Sequence, residues 1–321
     1  MLATKYRPKV FSDVVGQRSS VLVLSKAIER GLVPASLVLS GMRGTGKTSM
    51  ARIFARALNP GEDNEALFLW EVDAASAGGV DAMRSLIDDV RFSSPFHRVV
   101  VLDEVHAASS AGFQVLLKTL EEPPPRVTFV LVTTEPNKIP ETIVTRSMQC
   151  RFGKIQPKDI EGRLRFVADA EGIVVDDGLL KQIAEYADGG MRDALMLLDQ
   201  AALMGDGRIS VEVLDQFAGG RSAVPFLEAV AEGNIYKSIL LADGLAAELG
   251  AQAAVERMVL EFREMFLGRG VVSGWKVVDA VEAVPKLWKM AEQIRRLGPD
   301  DRSAMCALAA ELCRSFGGGY E

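Results

Sequence analysis

Residues 41 to 48 read Gly41-Met42-Arg43-Gly44-Thr45-Gly46-Lys47-Thr48, a complete G-x-x-x-x-G-K-[ST] loop. It follows the apolar run Leu37-Val38-Leu39 and leads into a helical pattern. That context demands a strand ending at the loop and a helix whose N-terminus faces it. The glycines let successive backbone N–H groups turn inward on a phosphate, and the helix dipole adds positive charge at the same point. Lys47 would reach the β- and γ-phosphates, and Thr48 would meet Mg²⁺. Gly41, Arg43, Gly44, Thr45, Gly46 and Ser49 complete the expected phosphate cradle. A glycine-rich turn with a chance lysine is the competing account, and the flanking strand and helix argue against it. The chain is expected to bind a nucleoside triphosphate.

From Leu37 to Phe152, short β-rich runs alternate with helical patterns, the signature of a mostly parallel sheet covered by helices. Strands are expected at Leu37 to Ser40, Leu67 to Val72, Val99 to Leu102, Val127 to Val132 and Met148 to Phe152. Helices are expected near 47–58, 80–90 and 109–122, the last capped by Ser109 and stopped by Pro123-Pro124-Pro125. Ligands on such sheets lie at the carboxyl ends of the strands, where the phosphate loop falls. After Pro157 the pattern is purely helical, with segments near 157–170, 177–187, 191–204 and 210–217. Ala218-Gly219-Gly220 reads as a linker. Beyond it, Ala, Leu, Val and Met recur at helical spacing, with Gly250 and Gly274 between helices and Trp275, Trp288 and Met290 expected in the core.

Val99-Val100-Val101-Leu102-Asp103-Glu104 places two carboxylates at the end of a buried strand, a Walker B element. Asp103 can hold Mg²⁺ through water, and Glu104 can polarise an attacking water. Thr133-Thr134 ends another apolar strand, so a hydroxyl there would lie beside the γ-phosphate. Arg146 starts a further strand, where it cannot easily turn back to its own phosphate loop, so a neighbouring subunit's nucleotide is the more natural target. Arg192 opens a helix and could reach the γ-phosphate of its own subunit. Both arginines are equally compatible with surface ion pairs.

Lys and Arg total 37 against 43 Asp and Glu, a net charge of −6, which argues against a protein that coats nucleic acid over its whole surface. Positive charge nevertheless gathers at Lys5, Arg7, Lys9 and Arg18, and again between Arg146 and Arg165. Three cysteines without a C-x-x-C pair form neither a disulfide framework nor a four-ligand zinc site, so a cytoplasmic location is expected. No apolar run approaches the roughly 20 residues of a bilayer span, and no membrane role is expected.

In order along the chain come Lys5-Tyr6-Arg7-Pro8, Phe11-Ser12-Asp13-Val14-Val15-Gly16-Gln17, the phosphate loop and Val72-Asp73-Ala74-Ala75-Ser76. Asp103-Glu104-Val105-His106, Leu116-Leu117-Lys118-Thr119-Leu120-Glu121-Glu122-Pro123-Pro124, Thr133-Thr134, Thr145-Arg146-Ser147 and Arg192-Asp193-Ala194-Leu195 follow. Together these segments resemble the AAA+ clamp-loader ATPases, among them the γ/τ-type subunits of bacterial DNA polymerase III, with replication factor C small subunits as more distant relatives. The resemblance implies an α/β AAA+ domain over 1–156, its parallel sheet covered by helices on both faces. It further implies a helical lid over 157–220 and an all-α collar over 221–321.

The implied activity is ATP hydrolysis with Mg²⁺ by one subunit of a pentameric, open ring. ATP binding would drive assembly with a sliding clamp and primer-template DNA, and hydrolysis would release the closed clamp. By motif Thr134, ahead of Thr133, resembles sensor 1, Arg192 sensor 2, and Arg146 the finger given in trans. Tyr6, Arg7, Val14 and Val15 resemble the lining of the adenine and ribose site. Arg84 resembles a residue facing DNA, which the task requires to be held through phosphates rather than bases.

Three departures stand out. Residues 59–66 replace the four-cysteine zinc module of cellular relatives, so no zinc is expected. Thr145-Arg146-Ser147 keeps the finger arginine but changes both neighbours. The sequence stops near Glu321 without the long tether of the τ form, as in a compact or virus-encoded version acting in a host cytoplasm. His97 and His106 have no partners at metal-ligand spacing, and a structural hydrogen bond is the expectation for His106. Phe92 and Phe96 are open to core packing or to anchoring a clamp. The alternatives to the leading reading are a non-hydrolysing scaffold subunit of the same complex and another AAA+ DNA machine, such as a branch-migration motor or helicase loader.

Overall fold

The computed structural model describes residues 1–77, 79–92, 94–210, 213, 223–266, 272–297 and 302–316. They gather into two compact units, Met1–Ile209 and Ser210–Glu321. The first unit opens with α1 (Leu2–Lys5) and α2 (Arg18–Glu29), followed by β1 (Ser36–Gly41) and α3 (Lys47–Leu58). Next come β2 (Leu69–Asp73), α4 (Ala74–Ala77), α5 (Val80–Val90), β3 (Arg98–Asp103), α6 (Ser110–Glu121), β4 (Val127–Thr133), α7 (Glu141–Val144) and β5 (Met148–Phe152). The unit continues with α8 (Pro157–Glu171), α9 (Leu179–Tyr186) and α10 (Met191–Met204), with the short parallel strands β6 (Val174–Val175) and β7 (Arg208–Ile209).

β1 to β5 form one parallel sheet in the order β2-β3-β4-β1-β5. Its central strands are near-continuous apolar runs because both faces are covered. Alternate residues serve opposite layers. Val100, Leu102, Phe129 and Leu131 pack with Met83, Ile87, Phe113 and Leu116 of α5 and α6. Leu37, Leu39, Val99, Val101, Val130 and Val132 pack with Leu24, Met50 and Phe54 of α2 and α3. This arrangement brings the carboxyl ends of β1, β3 and β4 together.

The expected strands and helices of this unit are present with small shifts. β2 starts at Leu69 rather than Leu67 because the Asn64 side chain accepts from the Ala66 N–H and caps a turn over Glu65–Leu67. Ser109 caps α6 by accepting from the Gly112 N–H at 3.0 Å. α2 escaped the sequence reading, although Ser20, Leu24 and Ala27 mark its buried side. Phe96 is partly buried against the sheet, whereas Phe92 is 71% exposed.

The second unit holds α11 (Val224–Ala231), α12 (Ile235–Leu249), α13 (Ala251–Phe266), α14 (Val277–Leu297) and α15 (Arg302–Phe316). Trp275 is buried among Phe262 and Phe316, and its indole N–H donates to the Leu227 carbonyl at 2.6 Å. Trp288 corrects the sequence expectation. It is 51% exposed on α14, where Ala283, Leu287 and Ala291 take the inward positions instead. The helix expected near 210–217, apart from residues 210 and 213, and the Ala218-Gly219-Gly220 linker lie outside the described residues. Among the described residues no single helix is long and apolar enough to cross a membrane.

Candidate nucleotide-binding site

The phosphate loop turns between the end of β1 and the start of α3. Gly41, Gly44 and Gly46 have φ of 143°, 77° and 100°, which side chains with a Cβ rarely adopt. A Cβ on Gly41 would sit 2.2 Å from the Phe152 carbonyl oxygen of β5. Gly41→Ala is therefore expected to destabilise this unit by about 3 kcal/mol, the upper end for overpacking, read as a lower denaturant midpoint. An unchanged midpoint would refute the steric argument.

Thr45 Oγ1 donates to the Met42 carbonyl at 2.7 Å and closes the loop on itself. Lys47 Nζ, largely buried, donates to the Gly41 and Met42 carbonyls at 2.8 and 2.9 Å. Burial pushes its ammonium below the usual lysine range, against the opposing pull of Glu104 and Asp103. A desolvated cation hydrogen-bonded to neutral carbonyls beside a helix N-terminus fits a phosphate anion.

Asp103 ends β3, and its Oδ2 accepts from Thr48 Oγ1 at 3.1 Å, so the two residues chosen for Mg²⁺ already meet. Glu104 has φ 47° and ψ 44°, a left-handed conformation that costs a glutamate roughly 1 kcal/mol or more and marks a constrained position. Its Oε2 accepts from Thr134 Oγ1 at 3.2 Å. Thr133 instead is fully buried, its hydroxyl accepting from the Glu135 N–H at 2.9 Å. Of the two threonines, Thr134 is the one joined to Glu104.

A cleft of about 540 Å³ lies over this centre, lined by Tyr6, Arg7, Val14, Val15, Arg43 to Ser49, Asp103, Glu104 and Arg192. Such a volume suits a small-molecule ligand. Gly41, expected in the phosphate cradle, is not among the residues that line the cleft. Arg192 enters from α10, whose start is fastened to the loop by its own N–H donating to the Gly44 carbonyl at 3.3 Å. A Cβ on Gly44 would press on Asp193 and Gly190, so the missing side chain lets α10 approach. Burial, helped by the nearby Arg52, lowers the Arg7 guanidinium from its usual range, while Glu71 opposes the shift. Arg7, Lys47 and Arg192 thus crowd positive charge where a polyphosphate would neutralise it.

Sequence reasoning missed Arg163, which lines the cleft and donates to the Tyr6 carbonyl at 3.2 Å. Its one signal was membership of the basic stretch up to Arg165. The Tyr6 hydroxyl is bound by Glu171 of α8, which Lys5 also holds at 2.6 Å. Those two hydrogen bonds keep the Glu171 carboxyl below its usual range.

Arg146 and Arg84 are not brought to the cleft. Arg146 is exposed between α7 and β5, donating to the Thr142 carbonyl at 3.0 Å and pairing with Glu121 at 3.3 Å. Arg84 is exposed on α5, 3.8 Å from Asp81. Among the described residues no three His, Cys, Asp or Glu side chains gather as a metal cage. His97 meets the Thr128 hydroxyl at 2.9 Å, and burial lowers it below the usual histidine range.

The chain matches the ATPase family associated with various cellular activities (AAA) over residues 37–154, and the DNA polymerase III clamp loader subunit ATPase lid domain over residues 159–207. It is 37% identical over 316 residues to the DNA polymerase III subunit tau of Bacillus subtilis, covering 91% of this chain and 55% of that one. The tau subunit of Escherichia coli K12 is 36% identical over 269 residues, with coverage of 77% and 42%. The gamma subunit of Buchnera aphidicola from Acyrthosiphon pisum is 36% identical over 238 residues, with coverage of 68% and 66%. The chain thus spans about half the length of the tau proteins it matches. The Thermotoga maritima RuvB Holliday junction branch migration motor shares the fold, with a TM-score of 0.60 at 19% identity over 83% of this chain and 99% of that one. With an AAA module followed directly by this lid, and with γ and τ subunits as its relatives, the chain belongs to the AAA+ ATPases of the DNA polymerase III clamp-loader type.

Proposed function

We propose that this chain is an ATP-hydrolysing subunit of a DNA sliding-clamp loader, acting in the cytoplasm with other loader subunits, a clamp and primer-template DNA. The observation that carries the reading is the convergence of Lys47, the Thr48–Asp103 pair, Glu104 and Arg192 on one cleft, with Thr134 bonded to Glu104. The loop amides and Lys47 bind the β- and γ-phosphates of ATP, with Arg7, Tyr6, Val14 and Val15 around the nucleoside. Thr48 and Asp103 would hold Mg²⁺, which supplies charge neutralisation at the phosphates. Glu104 accepts a proton from the attacking water, Thr134 reports the γ-phosphate as sensor 1, and Arg192 touches it in cis as sensor 2.

Arg146, directed away from its own cleft, serves the nucleotide of the adjoining subunit in a pentameric ring. Arg84 contacts DNA phosphates. Residues 157–220 act as the lid and 221–321 as the collar that holds the ring. Turnover of the assembled complex, measured with and without its clamp and primed duplex, tests the reading. Stimulation by both together is expected, and an assembled complex indifferent to them would refute it.

A further inference from the structure

Outside the residues already given roles, one titratable side chain sits against the hydrolytic centre. His106 follows β3 in the short turn Val105–Ala107, with its side chain 17% exposed. Its Nδ1 lies 3.3 Å from Glu104 Oε2 and 3.1 Å from Thr133 Oγ1. Its Nε2 lies 3.2 Å from Glu135 Oε1, and Glu135 is in turn held by Lys138 Nζ at 2.9 Å. The ring therefore bridges Glu104 to the residues just past β4, the segment that also supplies Thr134.

We propose that His106 is a positioning residue for Glu104, braced from behind by Glu135. The proposal rests on reading Glu104 as the residue that accepts the water's proton. Glu104 Oε2 accepts from Thr134 Oγ1 at 3.2 Å, and His106 Nδ1 stands 3.3 Å from the same oxygen while also meeting Thr133 Oγ1. A glutamate side chain 41% exposed would otherwise range over several rotamers, and holding one oxygen sets the direction of the other. Displacing a reacting group by about 1 Å costs about 10²-fold in rate. The contact with Thr133 has a further effect, since it pins the end of β4 from which Thr134 reaches Glu104.

The test is kcat, KM and ATP affinity of the intact chain in its assembly for three variants. His106→Ala is expected to lower kcat about 10²-fold with KM and affinity unchanged. His106→Asn sets an amide nitrogen near the position of Nδ1 and recovers most of that loss, whereas His106→Gln, which reaches the position of Nε2, does not. This ordering separates positioning from bulk packing, and it holds even if His106→Ala fails to fold. Unchanged kcat in His106→Ala, equal defects in the Asn and Gln variants, or a parallel loss of ATP affinity would overturn the proposal. A wild-type assembly that binds ATP without turnover would overturn the hydrolytic reading as well, and so is distinguished from failure of His106 alone.

Discussion

Arg146→Ala is expected to lower ATP turnover of the assembled complex by about 10³–10⁵-fold, the range for a finger that stabilises charge on a transferring phosphoryl group, while ATP affinity of the isolated chain stays unchanged. The asymmetry follows from position. Arg146 leaves the cleft wall to Arg7, Lys47 and Arg192 and stands at the surface beside Glu121 and the Thr142 carbonyl. Its pairing with Glu121 is half-exposed and worth less than about 1 kcal/mol, so a neighbouring triphosphate can win it readily. Arg146→Lys should recover little, because an ammonium lacks the planar fork that grips two phosphate oxygens. Turnover unchanged in the assembly, or reduced equally in the isolated chain, would remove the trans role.

Glu104→Gln is expected to slow the hydrolytic step about 10²–10⁴-fold while ATP still binds, so that single-turnover assays show ATP trapped intact. The amide keeps the shape of the side chain and an oxygen able to accept from Thr134, and it removes only the basic carboxylate. Lys47, the loop amides and the Thr48–Asp103 pair are untouched, so affinity has no reason to fall. Equilibrium binding measured on the same preparation provides the control. A drop in affinity by the same factor as the rate would show that Glu104 holds nucleotide rather than polarising water.

The two variants separate what one chain contributes to its own site from what it offers to the next. In the proposed function Glu104 serves the cleft of its own chain, and Arg146 serves a nucleotide that a second subunit brings to it. Gly41→Ala stands apart from both, because its expected cost falls on the packing of β1 against β5 and not on chemistry.

Much of this was legible in the residues because it is local. The loop 41–48 carries its own backbone demands, and buried parallel strands announce themselves as apolar runs. Ser109 and Pro157 mark helix starts by capping and by fixed φ. Asp103 and Glu104 were readable because four apolar residues precede them in a strand. The 3.6-residue period found α3, α5 and α10 but placed Trp288 inward, since a period fixes a stripe and not the neighbour that covers it.

What only the tertiary structure decided depends on pairs far apart in the chain. Adjacent Thr133 and Thr134 look alike in sequence, yet Thr133 ends β4 with its hydroxyl buried, whereas Thr134, just past the strand, turns its hydroxyl onto Glu104. Tyr6 meets Glu171, and Arg163 meets Tyr6, across most of the first unit. His106 stands between Glu104 and Glu135 because β3 and β4 are neighbours in the sheet order, although dozens of residues separate them along the chain. The sequence by itself determined that this protein holds a phosphate loop, a carboxylate pair and the fold that joins them, because those features need only short-range backbone and pattern rules. Which side chains lie against Glu104, and which arginine stays away from the cleft, were settled by sheet order and packing, where residues distant in sequence first come within reach of one another.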